Sequence, residues 1–359
     1  MLLSISSSSR LQIRHRALAA GVFGLIVFAA MVAAGNAWDR SFPSTRFDTP
    51  YRDGVPDVNR EWYLASEKDV LDYDVFYHGW WGTPQALRRA DVLFLGNSRA
   101  MYAFRAEYFQ PYLDVLGVRG YNMALPSGAD AFPLAIIRKY DLHPKVVVVN
   151  SDAFFANDLT SFGAWATERS DWESWRLYYE YVASWTARKY LHLLLPPWRE
   201  YLLDRRYQVM YRSASTGSVR LVVGEDDQRL MTPVSPPPIS AADEATADGM
   251  VPSQLRNLQV FREEVAARGA AMVLTLVPYG DSMPLVLTRK LSAISGVPFI
   301  EEWPVGLEGA AGSHMNARSS KRFLDMLMPR LLAEPAVKVR LLGQPALSRQ
   351  SSDSWSLRP

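Results

Sequence analysis

A serine that attacks a carbonyl needs a base within hydrogen-bond reach and donors aimed at the oxyanion that forms. This chain of 359 residues offers a candidate for each part. Ser98 stands in Leu95-Gly96-Asn97-Ser98-Arg99, directly after the apolar run Asp91-Val-Leu-Phe-Leu95. Gly96 permits a tight turn, and a serine opening the next helix can point its own N–H into a site. A serine at such a turn can equally do no more than cap the helix. Bases are scarce, because only five histidines are present: His15, His78, His143, His192 and His314. His314 lies in Gly312-Ser313-His314-Met315-Asn316-Ala317, where Asn316 is placed to cap a last helix. There is no cysteine, which excludes disulfides, thiolate metal sites and a cysteine nucleophile. No histidine pair has ligand spacing and no phosphate-cradling glycine motif follows a strand, so neither a metal nor a cofactor is expected.

Such groups gather at the carboxyl ends of strands in an open α/β sheet. Four apolar runs qualify as strands covered on both faces: Asp91 to Leu95, Lys145 to Val149, Ala271 to Val277 and the weaker Val297 to Ile300. Helical spacing covers Ser253 to Arg268, ending at Gly269, and Ala317 to Leu332, which Pro329 should kink or end early. The alternation predicts a flavodoxin-like three-layer α/β/α domain with a parallel sheet, spanning residues 88–335. Residues 38–87 form its lead segment.

Basic residues number 39 and acidic residues 37, a balance that gives no reason to expect a nucleic-acid partner. Residues 1–16 carry Arg10, Arg14 and Arg16 and no acid, and the 18 residues from Ala17 to Ala34 carry no charge. That pattern predicts an inner-membrane anchor over 17–37, a cytoplasmic basic tail and an exported remainder. Gly35-Asn36-Ala37 would alternatively serve as the exit of a cleaved signal peptide. An insertion over 160–250 opens with a run rich in tryptophan and tyrosine between Ser161 and Tyr211. It is read as a helical cap packed on the sheet or as a lid that meets sugar rings or a membrane interface. Thr232 to Ala247, with four prolines, reads as a flexible connector, and residues 336–359 as a disordered tail.

Four blocks in this order resemble the SGNH/GDSL hydrolase superfamily, in the style of its membrane-anchored bacterial branches with a Gly-x-Ser-Arg first block. Gly96-Asn97-Ser98-Arg99 resembles the nucleophile block, and Asn122-Met-Ala-Leu-Pro-Ser-Gly128 the second, whose glycine offers an oxyanion N–H. Val149-Asn150-Ser151-Asp152 resembles the third block, and His314-Met315-Asn316 the last. The likeness covers roughly residues 88–158 and 253–332. It implies Ser98 as nucleophile, His314 as base, and Asn97, Arg99, Gly128, Asn150 and Asp152 around the oxyanion. Asn97 stands where the family usually has Asp, and Asp152 where an Asn donor is expected, so Asp152 orients a neighbour or Asn150 donates instead. Ala311 stands where the family has the acid that supports the histidine. Asp281, Glu301 or Glu302 would have to replace it, unless a Ser–His dyad suffices. The implied activity is acyl-ester hydrolysis or O-acyl transfer on an envelope or secreted polysaccharide. Its implied partners are that polysaccharide or an acyl donor, and a membrane-bound acyltransferase. A non-catalytic envelope protein that binds glycan or an assembly partner is the competing expectation.

Overall fold

The computed structural model describes residues 21–26, 30, 62–65, 71–180, 210–221, 231–235, 238–310 and 314–343. Two units divide the chain: residues 56–184 with 205–359, and residues 1–55 with 185–204. In the second of these only 21–26 and 30 are described, and they are helical. The apolar run expected to be an anchor therefore lies mostly outside the described residues. Among those described, no helix is long and apolar enough to cross a membrane.

The larger unit opens with β1 (Trp62–Ala65), α1 (Leu71–His78), α2 (Thr83–Arg88), β2 (Val92–Leu95), α3 (Ser98–Ala103) and α4 (Ala106–Asp114). It continues through β3 (Gly120–Asn122), α5 (Ala131–Lys139), β4 (Val146–Asn150), α6 (Thr160–Glu168), β5 (Met210–Ser213), β6 (Val219–Leu221) and β7 (Met231–Val234). The last part is α7 (Ala241–Ala267), β8 (Ala271–Thr275), α8 (Met283–Ser295), β9 (Phe299–Ile300), β10 (Leu307–Ala310), β11 (His314–Met315), α9 (Ala317–Ala333) and α10 (Pro335–Leu342).

Five strands form a wholly parallel sheet in the order β3-β2-β4-β8-β9. Side chains alternate across it, as the pleat requires. Val92, Phe94, Val146, Val148 and Val273 enter one core with residues of α3, α4, α9 and α10. Leu93, Leu95, Val147, Val149 and Leu274 enter another with residues of α5, α7 and α8. Both faces are thus covered by helices, an arrangement compatible with a three-layer α/β/α fold. Continuous Val and Leu runs read this way because each successive residue has a core to enter. Beside this sheet, β5 pairs antiparallel with β1 and β6, and β10 with β7 and β11.

Three expectations are corrected. Thr232 to Ala247 is not a connector: it supplies β7 and the start of α7. Ser240 caps α7 by accepting the Asp243 N–H at 3.2 Å while Asp243 accepts the Ser240 N–H at 2.8 Å. That reciprocal cap starts the helix at Ala241, so α7 crosses the expected insertion boundary at residue 250. Pro329 does not end α9, which runs to Ala333. Pro329 and Asp325 are exposed, so the carbonyl deprived of its helical partner faces water. The tail is ordered through Gly343, because Val337 and Leu341 of α10 are buried in the first core. Residues 344–359 lie outside the described residues.

One buried ion pair ties the small sheet to the large one. Arg212 of β5 is fully buried and gives Nη1 to Asp72 Oδ2 at 2.9 Å. Its Nη2 donates to the carbonyls of Asn122 (2.7 Å) and Ala124 (2.8 Å), just where β3 turns into the following loop. Asp72→Leu strands the guanidinium without its counter-charge and is expected to cost about 3–5 kcal/mol. Urea unfolding checks this, and a loss under about 1 kcal/mol would show that the pair is not needed.

Candidate active site

The site forms where β2, β4 and β8 end. Gly96 leaves β2 with φ 149°, a region open to glycine. A Cβ there would lie 2.6 Å from Ala100 Cβ and 2.8 Å from Asn150 Cβ, so the turn is pressed against the end of β4. The next residue is the helix cap: Asn97 Oδ1 accepts the Arg99 N–H at 3.1 Å. Ser98 is therefore not the cap but the first residue of α3, whose N–H has no acceptor within the helix. Its hydroxyl is left for other work. Ser98 Oγ lies 2.9 Å from His314 Nε2, across 216 residues of sequence.

His314 reaches that position from the short β11, which pairs with β10 through Ala310. Asn316 then caps α9 by accepting the Ser319 N–H at 2.8 Å, as expected. The Tyr102 ring packs edge-on to the imidazole with centroids 5.0 Å apart. Tyr102 stands four residues after Ser98, so one face of α3 presents both groups to the histidine. Burial pushes His314 down to about 4, and the Arg99 charge pushes the same way. The ring is neutral at pH 7 and can accept the serine proton.

Asp152 gathers donors. Its Oδ2 accepts Asn97 Nδ2 at 2.7 Å, its Oδ1 accepts the Tyr279 hydroxyl at 2.9 Å, and Arg99 Nη1 forms an ion pair with it. The Arg99 guanidinium also lies 3.5 Å over the centre of the Tyr279 ring. Every partner donates, so Asp152 acts as an acceptor that orients Asn97, Arg99 and Tyr279. Asn150 is buried in the same network: Oδ1 accepts the Val277 N–H at 2.9 Å, and Nδ2 donates to Asn97 Oδ1 at 3.2 Å. An amide nitrogen carries two hydrogens, so Asn150 keeps a second one to offer an oxyanion.

Some expected roles are not brought together. Gly128 gives its N–H to Leu125 O at 2.9 Å, closing a turn instead of presenting a free donor. Its need for glycine is steric, since a Cβ would sit 2.5 Å from the Gly96 carbonyl oxygen. Asp281 is exposed and accepts the Met283 N–H at 3.1 Å, starting α8 rather than supporting the histidine. Glu301 pairs with Arg289 at 2.6 Å and Glu302 with Arg330 at 2.6 Å. Among the described residues, these three carboxylates are thus taken up elsewhere. Residues 311–313, which precede the histidine, lie outside them.

Tyr279 is the site residue that the sequence reading passed over. Its signal was its place in Pro278-Tyr279-Gly280, directly after a buried strand. A second Ser/His/Asp grouping also exists, with Ser174 Oγ 3.1 Å from His78 Nε2 and His78 Nδ1 3.7 Å from Asp171. Ser174 is fully buried and gives its proton to Asp74 at 2.6 Å, so it is no nucleophile.

Set against protein-family models, curated proteins and solved structures, the chain matches none of them.

Because Arg99 holds the imidazole down, Arg99→Met should raise the His314 pKa. An NMR titration of the ring checks the direction, and an unchanged or lower value would contradict it. A histidine whose folded pKa is depressed binds fewer protons folded than unfolded, so its contribution is complete above about 6.5 and is lost as pH falls toward about 4. His314→Gln should therefore flatten the wild-type fall in stability within that window.

Proposed function

We propose that this chain is a serine acyl-esterase or O-acyltransferase of the SGNH/GDSL type. The observation that carries the reading is the 2.9 Å contact between Ser98 Oγ and His314 Nε2 at the carboxyl end of a parallel sheet. Both groups stand in the blocks where the resemblance requires them. The strand order β3-β2-β4-β8-β9 supports the same reading, being that of a flavodoxin-like sheet.

In this mechanism Ser98 Oγ attacks the acyl carbonyl as its proton passes to His314 Nε2. The Ser98 N–H and the remaining Asn150 Nδ2 hydrogen stabilise the oxyanion, and the Arg99 charge adds to their field. His314 then gives its proton to the departing alcohol. Water that attacks the acyl-serine completes hydrolysis; a sugar hydroxyl completes transfer. Arg99 has two opposed effects, favouring the oxyanion while disfavouring the imidazolium, and Asp152 tempers both by balancing its charge.

A polysaccharide of the envelope is proposed as the acyl carrier, with the site outside the inner membrane. The uncharged run from Ala17 to Ala34 behind a basic flank supports that placement. Val22, Phe23, Leu25 and Ile26, described within it, are all more than half exposed. A membrane-bound acyltransferase is the proposed partner that would supply acyl groups.

A second reading is a binding protein that keeps the fold without turnover. It is favoured by a histidine held near 4, which is a weak base for a serine proton at neutral pH. A fluorophosphonate probe separates the two. The full-length wild type should be labelled, and Ser98→Ala and His314→Ala should each lose labelling by at least about 10³-fold. A folded wild type that resists the probe and cleaves no p-nitrophenyl acetate would move the assignment to the binding role.

A further inference from the structure

A second polar cleft lies at the other end of the sheet. Gly120 opens β3 and pairs with Val92, which opens β2, so the two strands begin side by side. Against their amino ends sits a cavity of about 380 Å³, lined by Trp81, Gln85, Arg89, Arg119, Gly120 and Ser215 among others. Ser98 and His314 lie at the carboxyl ends, so this cleft is not part of the catalytic site. Its volume falls in the range of about 300–1,000 Å³ that small-molecule sites occupy.

The lining has a definite chemistry. Arg89 and Arg119 are both exposed, and neither guanidinium has a hydrogen bond or ion pair among the described residues. No acidic side chain lines the cleft among those residues. Asp91, beside Arg119, is already matched: it accepts the Arg119 backbone N–H at 2.9 Å and the Lys145 ammonium at 2.8 Å. Two unmatched guanidinium forks are suited to the paired oxygens of a carboxylate or phosphate. Gln85 adds a neutral group able to bond hydroxyls, while Ser215 Oγ is bonded to Ser213 Oγ at 3.1 Å.

Trp81 also lines the cleft, and its backbone lies in an uncommon conformation there. Its φ is 52°, in the left-handed region that bulky residues avoid. The surroundings enforce this: Tyr63 stacks on the indole at 4.9 Å and 11°, while Trp175 and Tyr178 close on it at 5.6 and 4.9 Å. Trp175 and Tyr178 belong to the aromatic insertion, so the start of the insertion props a residue that faces the cleft. Strain kept in place by such packing points to use.

We infer that this cleft binds an anionic sugar, its carboxylate or phosphate on Arg89 and Arg119 and its ring against Trp81. The site is separate from the serine and does not depend on turnover there. It would hold an acidic glycan chain at a distance from the reacting ester.

Isothermal titration of the full-length protein at low salt tests the inference. The probes are trigalacturonate, glucose 1-phosphate and the uncharged maltotriose. At least one anionic probe should bind saturably, and which one does so tells carboxylate from phosphate. Maltotriose should bind at least about tenfold more weakly, and Arg89→Gln and Arg119→Gln should each weaken the anionic probe by about tenfold or more. Ser98→Ala should leave binding unchanged. Absence of binding by both anionic probes would overturn the inference. So would equal binding of maltotriose, or unaltered binding by an Arg89→Gln/Arg119→Gln variant that unfolds at the wild-type urea concentration. Fluorophosphonate labelling of that double variant should persist, so failure of the cleft and failure of the serine are read separately.

Discussion

A carboxylate buried at the end of a strand has to be met by donors, and Asp152 is met by donors from two other strand ends. Asn97 and Arg99 come from the turn after β2, and Tyr279 from the loop after β8. This one acceptor therefore holds in register the three segments that surround Ser98. Charge-assisted hydrogen bonds are among the stronger ones, and here they act where water is largely excluded. Asn150 extends the network by joining the Asn97 side chain to the Val277 backbone. The serine itself contributes no bond to this frame. That is why its hydroxyl is free to face His314.

Beneath the frame lies an ordinary parallel sheet with a core on each face. The first core contains α3, which carries Ser98, and α9, which follows His314, so the serine and the histidine are docked on the same side. Ser320 of α9 donates to the Ala103 carbonyl at the end of α3 at 2.6 Å, fixing the two helices to each other. Fold and site are coupled through this contact. A shift of α9 would move the histidine away from the serine.

Much of this was legible in the sequence because it is local. Unbroken Val and Leu runs can be satisfied only by burial on both sides, and the residue after each run must then sit at a strand end. Ser98 and Asn150 follow from that reasoning, whereas His314 and the capping role of Asn316 were legible from the start of the last helix. What escaped depends on distance or on competing local signals. Nothing near Asp152 in sequence announces Tyr279, 127 residues away, as its partner. The prolines of the 232–247 segment hid the reciprocal Ser240–Asp243 cap. Pro329 suggested a break, yet it lies on an exposed helix face where a missing helical bond is exchanged for one to water. Asp281 was a reasonable candidate by position, but its oxygen is drawn to the start of α8.

The proposed function requires that Ser98 become covalently acylated with His314 as its base. Intact-protein mass spectrometry tests it directly, on samples mixed with p-nitrophenyl acetate and quenched in acid within seconds. One added acetyl group is expected, mapped by peptide analysis to Ser98 and absent when His314 is replaced by Gln. An unmodified wild-type protein, or an acetyl group on another residue with Ser98 untouched, would contradict it.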